Sequence, residues 1–145
     1  MNFLLDTCVV SELIKREPNR CVITWLDESD EESLFLSVLT FGELEKGIAR
    51  ARDAMRKARL MKWVQRDLSE RFAGRILPID LPVAERWGVL VGASEMKGMP
   101  LPVIDSLLAA TSLHHDLTLV TRNTADFDRC GARCFDPWSG TSGDT

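Results

Sequence analysis

The sequence predicts an α/β protein: a three-layer α/β/α sandwich around a mainly parallel sheet of four to five strands. Two patterns favour this class. Short apolar runs with strand character occur at 3–5, 34–38, 76–79, 117–121 and 133–135. Segments with helical spacing lie between these runs. The length of 145 residues suits one domain with a substantial core.

The first half of the chain alternates in this way. Two short helical segments, 8–15 and 20–28, follow the first strand, and the acidic run DESDEE indicates a solvated loop. Over residues 40–72, apolar side chains recur every three or four positions. That spacing predicts a long helix or a helical hairpin.

The second half continues the alternation. A helix is expected to start at Pro82, because proline suits the first helical turn, and to end before Gly98 and Pro100. Apolar residues between 104 and 111 predict another helix, which leads into the strand LTLVT.

Residues 1–138 are expected to form one domain, and the small polar residues of 139–145 (SGTSGDT) are expected to form a flexible tail. The N-terminus lacks the basic and apolar regions of a signal peptide. Charged residues interrupt every apolar stretch before it reaches membrane-spanning length. The expected location is therefore the cytoplasm, with no membrane contact.

Cysteine and histidine do not form a recognisable metal site. The four cysteines include no CxxC pair, so neither a zinc site nor a disulfide framework is expected. Cys130 and Cys134 suit small buried positions. His114 and His115, near a helix end, suit the surface or the edge of the core.

Charge is distributed unevenly along the chain. The net charge is −4, but the segment from Lys46 to Arg75, here called the basic segment, holds ten basic and three acidic residues. Two interpretations remain open. The basic segment is either a solvated helix face or an electrostatic track for a phosphate backbone.

Four acidic residues occur where a strand ends or a helix begins. Ligands bind at the carboxyl ends of strands in open parallel sheets, so acids at several ends converge in space. Each acid also has a local explanation. Thr40 and Glu43 fit a capping box, Asp6 and Asp105 fit helix caps, and Asp126 is flanked by arginines. The set is Asp6, Glu43, Asp105 and Asp126.

Taken together, the acids indicate a cation site. Neighbouring carboxylates repel one another unless a cation neutralises them. Oxygen ligands without histidine or thiolate suit Mg²⁺ or Mn²⁺. Such a site activates water for attack on a phosphodiester, which predicts a metal-dependent phosphoester hydrolase.

Four ordered motifs carry a family resemblance: LLDTCVVSEL, TFGELEKG, PVIDSLLAAT and VTRNTADF. They resemble the signatures of PIN-domain nucleases, and most closely the VapC and FitB branch, the ribonuclease toxins of bacterial type II toxin–antitoxin systems. The resemblance runs from Asn2 to about Trp138. It includes stretches without assigned chemistry, such as FAGRILPID and the closing FDPW.

The resemblance implies roles for particular residues. Asp6 and Asp105 would be the principal Mg²⁺ ligands, and Glu43 would bind metal or position the attacking water. The fourth acidic position falls on Asn123 or Asp126, of which Asp126 retains the charge.

Three further side chains match supporting positions of the family. Thr7 and Thr121 would support the site through hydrogen bonds, and Asn123 would orient a ligand or a water. Many relatives have asparagine where this chain has Cys8, to which only a packing role is assigned.

The resemblance also implies a reaction and partners. The reaction is endonucleolytic hydrolysis of RNA, with Arg56, Lys62 and Arg122 as candidate RNA contacts. The family forms homodimers and is inhibited by a small antitoxin, whose C-terminal segment lies along a groove of the toxin. A heterotetramer or larger complex would contact DNA only through the antitoxin.

Three other classes compete with this interpretation. An aspartyl-phosphate hydrolase requires a second aspartate where Cys8 stands. A phospho-acceptor signalling domain binds Mg²⁺ without nuclease activity, but it requires a lysine where VTRNT has Arg122. A catalytically silent PIN-like domain would serve only as a scaffold.

Overall fold

The central sheet consists of five parallel strands. The structure is a computed structural model that describes residues 1–139. The strand order is β3-β2-β1-β4-β5, and every pairing in it is parallel. The strands are β1 (Phe3–Leu5), β2 (Leu34–Ser37), β3 (Ile76–Leu77), β4 (Thr118–Val120) and β5 (Cys134–Phe135).

Helices cover both faces of this sheet. They are α1 (Thr7–Glu12), α2 (Arg20–Glu28), α3 (Val38–Arg50), α4 (Ala54–Lys62), α5 (Ser69–Arg71), α6 (Leu81–Met96), α7 (Val103–His114) and α8 (Thr124–Asp128). A π-helical turn, Trp63–Leu68, joins α4 to α5. In residues 1–139, no helix combines the length and the apolar character needed to cross a membrane.

The strand β1 shows why the fold has three layers. Leu5 packs into a cluster with Val9, Val10 and Val22, whereas Leu4 packs into a second cluster with residues of α7 and α8. Successive side chains of a strand point to opposite faces of its sheet. The apolar run FLL is therefore buried on both faces, and the predicted α/β fold class is confirmed.

The segment 40–72 is a helical hairpin and not one long helix. Ala51 adopts extended backbone angles, which ends α3. Asp53 then caps α4 by accepting a hydrogen bond from the Met55 N–H at 3.1 Å. A cap residue at this place starts a new helix and lets the chain turn.

The acidic run DESDEE is not simply a solvated loop. Its first residues belong to α2, and Glu31–Ser33 form a 3₁₀ turn. Glu31 pairs with Arg71 at 3.0 Å and with Arg75 at 2.8 Å. Arg75 is 8% exposed and also donates to the Leu34 carbonyl, so the run anchors a buried arginine.

Other expectations concern the end of the chain and its thiols. A 3₁₀ turn, Pro137–Ser139, is the last element, and the rest of the expected tail lies outside the described residues. All four cysteines, each within residues 1–139, are free thiols. His114 is exposed and His115 half-buried at the end of α7, in agreement with the sequence.

Candidate active site

Asp6 lies at the carboxyl end of the central strand and is 7% exposed. One oxygen, Oδ1, accepts a hydrogen bond from the Thr7 N–H at 2.8 Å and caps α1, as expected. The other, Oδ2, accepts from the Thr121 hydroxyl at 2.8 Å. Thr121 directly follows β4, which pairs with β1 in parallel register. Sheet pairing therefore brings residues from distant motifs together.

Glu43 contacts a different element from the one that the sequence suggested. The expected capping box with Thr40 is wrong, because Ser37 caps α3 by accepting from the Leu39 N–H at 3.0 Å. Strand β2 ends at Ser37, so the helix begins earlier and Thr40 lies inside it. The Glu43 carboxylate instead accepts from the Thr7 hydroxyl at 2.6 Å.

The raised pKa of Asp105 indicates that the acidic groups lie close to one another. It lies in the first turn of α7, where Pro102 and not Asp105 occupies the cap, so the expected capping role is wrong. Burial raises the pKa of Asp105, and the charges of the other three site acids raise it further, against a smaller opposing effect of Arg129. Those acids are Asp6, Asp126 and Glu43. The ionised form of Asp105 is therefore disfavoured.

Asp126 and Asn123 lie at the outer side of the site. Asp126 is exposed and pairs with Arg129 at 3.7 Å. Asn123 precedes α8, and its backbone N–H donates to the Thr121 hydroxyl oxygen at 3.0 Å. Of these two residues, Asp126 carries a negative charge that raises the pKa of Asp105. Its assignment as the fourth acid stays a prediction.

Cys8 is closer to the acids than a packing role requires. Its thiol donates to Asp6 Oδ2 at 3.7 Å and lies 3.7 Å from the Thr121 hydroxyl. Burial raises the pKa of the Cys8 thiol, and the Asp6 charge raises it further. The thiol therefore remains protonated and serves as a weak donor to Asp6. The sequence signal for this contact was the position of Cys8, two residues after Asp6 and on the same helical turn.

A groove of about 720 Å³ opens beside Glu43 and Thr7, between α1, α3 and α4. Ile14, Leu44, Ile48, Leu60 and Trp63 are among its apolar lining residues. Its basic residues are Lys15, Arg16, Arg50, Arg56 and Arg59. Within residues 1–139 none of these four arginines forms an ion pair. Arg56 thus lines the groove, whereas Lys62 is exposed and does not.

The carboxylates are suitable ligands for a divalent cation, but within residues 1–139 their side chains do not surround a cation-binding position. Carboxylate oxygens are the donors that Mg²⁺ and Mn²⁺ prefer. A bound cation would reduce the electrostatic repulsion between Asp105 and the neighbouring carboxylates. Among residues 1–139, however, no three acidic, histidine or cysteine side chains are arranged tightly enough to hold a metal ion. Binding would require these side chains to converge.

The sheet, its acidic edge and the basic groove define a class: a parallel α/β domain with a group of carboxylates beside a basic groove. The family model that describes the PIN domain matches residues 3–132. The chain therefore belongs to the PIN-domain family, and the resemblance inferred from its four motifs is confirmed.

Individual relatives match over nearly their whole length. Toxin FitB of Neisseria gonorrhoeae is 36% identical over 135 residues, which cover 93% of this chain and 97% of FitB. VapC ribonuclease Y4jK of Sinorhizobium fredii is 33% identical, with 93% and 96% covered. The crystal structure of FitAcB from Neisseria gonorrhoeae superposes with a TM-score of 0.88 at 36% identity, covering 94% of this chain and 98% of that one.

Proposed function

We propose that this protein is an Mg²⁺-dependent endoribonuclease and the toxin of a type II toxin–antitoxin system. The observation that carries the proposal is the electrostatic coupling of Asp105 to Asp6, Glu43 and Asp126 at one edge of the sheet. Relatives that are named as a toxin and as a ribonuclease support it. We assign the protein to the cytoplasm, where it would meet the cellular RNA that it is proposed to cut.

The four acids would contribute unequally to metal binding. Asp6 and Asp105 would be its principal ligands, with Glu43 and Asp126 completing the site, and Mn²⁺ would substitute for Mg²⁺. When bound, the metal would supply an activated water and neutralise charge on the phosphate. Thr121 would hold Asp6, Thr7 would hold Glu43, and Asn123 would orient a ligand or a water.

RNA would approach over the basic groove, because an acidic pocket alone repels a polyanion. Arg56 lines that groove and forms no ion pair within residues 1–139, which leaves its charge available to phosphates. Lys62 lies outside the groove on the same helix and would add only longer-range attraction. Arg122, adjacent to Thr121, would contact a phosphate at the other side of the site.

The same groove would receive the inhibitory partner. The FitAB complex bound to a DNA fragment matches this fold with a TM-score of 0.86 at 34% identity. By this likeness, we assign the chain a small cognate antitoxin, a homodimeric state and a heterotetramer or larger complex that contacts DNA only through the antitoxin. The groove's apolar floor beside Glu43 suits a protein segment that blocks the site.

The decisive experiment compares Asp6→Asn and Asp105→Asn with Asp27→Asn, an exposed aspartate of α2. We expect Mg²⁺-dependent cleavage of single-stranded RNA to fall by more than ~100-fold in both site variants, beyond what loss of a supporting contact costs. The Asp27 control should cleave normally. End-mapping of cellular RNAs after brief expression would then identify the substrate.

Three outcomes would contradict the proposal. Full cleavage by both site variants would exclude the assigned metal ligands. Stable incorporation of phosphate at Asp6 from a small phosphodonor would indicate a phospho-acceptor signalling domain. A folded wild-type protein that binds RNA without cutting it would indicate a catalytically silent PIN domain.

A further inference from the structure

The closing motif FDPW forms a small rigid platform beside the site. Phe135 ends β5, which pairs in parallel with β4, so the motif emerges at the sheet edge where Thr121 also lies. Asp136 Oδ1 accepts a hydrogen bond from the Trp138 N–H at 2.8 Å. Pro137 is buried, and the Trp138 ring packs against the core cluster that contains Leu5.

Arg122 stacks on this platform. Its guanidinium carbon lies 4.4 Å from the centroid of the Trp138 ring, within the range of a cation–π contact. The preceding residue, Thr121, donates to Asp6 Oδ2 at 2.8 Å. The backbone of Arg122 is therefore tied to the acidic site, and the face of its side chain is held by Trp138.

The N–H donors of Arg122 remain available. Within residues 1–139 its side chain forms no ion pair and donates no hydrogen bond. Glu12 interacts electrostatically with Arg122, but its two oxygens already accept from the Asn19 N–H and from Lys15. Glu12 therefore interacts with Arg122 only through charge and accepts none of its N–H groups.

Within residues 1–139, two other arginines lie over an aromatic ring, and they differ from Arg122 in their ion pairs. Arg71 and Arg75 lie 5.3 and 4.9 Å from the Phe72 ring centroid. Both also pair with Glu31, so their stacking serves a closed structural network. Arg122 is held by an aromatic ring in the same way but forms no ion pair within residues 1–139.

We propose that Trp138 is a positioning residue for RNA binding: it holds the guanidinium of Arg122 flat, so that the edge N–H groups bind a substrate phosphate. The inference rests on the proposed function. A planar guanidinium matches a phosphate with two parallel hydrogen bonds. Prior stacking reduces the side-chain entropy lost when that contact forms. The contact between Arg122 and the phosphate would form when RNA binds and persist in the transition state. Its loss should therefore raise KM and leave kcat unchanged.

The test is a double-mutant cycle on cleavage of a labelled single-stranded RNA. We expect Arg122→Ala to raise KM roughly 10-fold, the scale of a charge-assisted hydrogen bond. Trp138→Leu should raise KM by ~3-fold to 10-fold, and Trp138→Phe should restore most of the affinity. Trp138→Leu should add nothing in the Arg122→Ala background. Arg133→Ala, at an exposed arginine paired with Asp116, is the control.

Additive effects in the cycle, or equal effects of the Leu and Phe variants, would overturn the proposal. If Trp138→Leu does not fold, Arg122→Lys decides. Lysine keeps the charge but lacks the planar group, so KM should rise nearly as in Arg122→Ala, and an unchanged KM would overturn the proposal.

RNA affinity separates this inference from the proposed function. The dissociation constant is measured in the Asp6→Asn background, where no cleavage is needed. Arg122→Ala should weaken RNA binding and reduce the salt slope by about 0.7 for the lost phosphate contact, and Trp138→Leu should follow it. Binding that depends on both residues without wild-type cleavage would reject the nuclease and keep the positioning role. Binding insensitive to both would reject the positioning role alone.

Discussion

The Thr7 hydroxyl donates a hydrogen bond to Glu43 Oε1 at 2.6 Å across 36 residues of sequence. This contact joins the first turn of α1 to the second turn of α3. It places Glu43 beside the residue that follows Asp6, although Glu43 is not bonded to Asp6 itself. The Thr7 hydroxyl is therefore the donor that orients the Glu43 carboxylate.

Removing that hydroxyl should impair catalysis more than folding. In Thr7→Val the Glu43 carboxylate loses its donor, and we expect kcat for RNA cleavage to fall roughly 10-fold, the value of one such hydrogen bond. Thr7→Ser keeps the hydroxyl and should retain most of the activity. A Thr7→Val enzyme as active as wild type would show that Thr7 does not position Glu43.

Neutralising Asp105 should stabilise the protein in the absence of metal. Burial and the neighbouring acids raise the pKa of Asp105 above its ordinary value of 3.8. A carboxyl with a raised folded-state pKa destabilises the fold at higher pH, and this penalty disappears below about 3.8. Asp105→Asn should therefore raise Tm by a few degrees at neutral pH and by progressively less in acid.

Metal addition supplies the matching control. Mg²⁺ should raise the Tm of the wild type more than that of Asp105→Asn, because a ligand that binds only the folded state stabilises it. Asp126→Asn, at an exposed acid paired with Arg129, should give a smaller metal-free gain. A metal-free Tm that falls in Asp105→Asn would contradict the repulsion described for the site.

The position of the groove predicts that two basic residues of α4 contribute differently to RNA binding. Charge reversal of Arg56, which lines the groove, should weaken RNA binding several-fold and flatten its dependence on salt. Lys62→Glu is the matched control, since Lys62 is exposed outside the groove, and its effect should be smaller. Equal effects, measured by titration at several salt concentrations, would favour a diffuse basic face over a track.

Glu12 should contribute stability that depends on pH. Its burial alone would raise the pKa, but hydrogen bonds from Lys15 and the Asn19 N–H, with the charges of Lys15 and Arg122, lower it below 4.5. The stabilisation is thus present above about 4.5 and is lost as pH falls through the lower folded-state value. Glu12→Gln should cost about 1–2 kcal/mol of unfolding free energy near neutral pH.

Urea unfolding of both proteins measures this difference. The two curves should converge as the pH falls below about 4.5 and through the lowered pKa of Glu12, because the wild-type carboxyl then becomes protonated. Lys15→Met tests one donor separately and should give a smaller loss, since Lys15 is half exposed. A wild-type advantage that does not change with pH would exclude the charge of Glu12 as its source.

Local patterns were sufficient to predict much of the fold. The apolar run FLL, followed by Asp6, predicted both β1 and the cap of α1 because each depends on neighbours in sequence. The spacing over 40–72 allowed one helix or two. Apolar periodicity is the same on both sides of Ala51, so only the extended backbone at that residue decided for two.

The contacts within the site were less predictable where they join residues that are far apart in the sequence. Thr40 and Glu43 have the spacing of a capping box, but the end of β2 places Ser37 in the cap and leaves Glu43 to Thr7. The motif FDPW carried no chemistry by itself. Its relation to Arg122 exists only because β5 lies beside β4.

The sequence by itself determined the family and most of the strands and helices, and it predicted the four acids, since these follow from residue type and spacing. Tertiary structure decided which hydroxyl supports which carboxylate and which arginines form no ion pair within residues 1–139. The contact from Thr121 to Asp6 spans 115 residues. Such contacts depend on which strands become neighbours in the sheet and on how helices pack against it, and no local pattern encodes that arrangement.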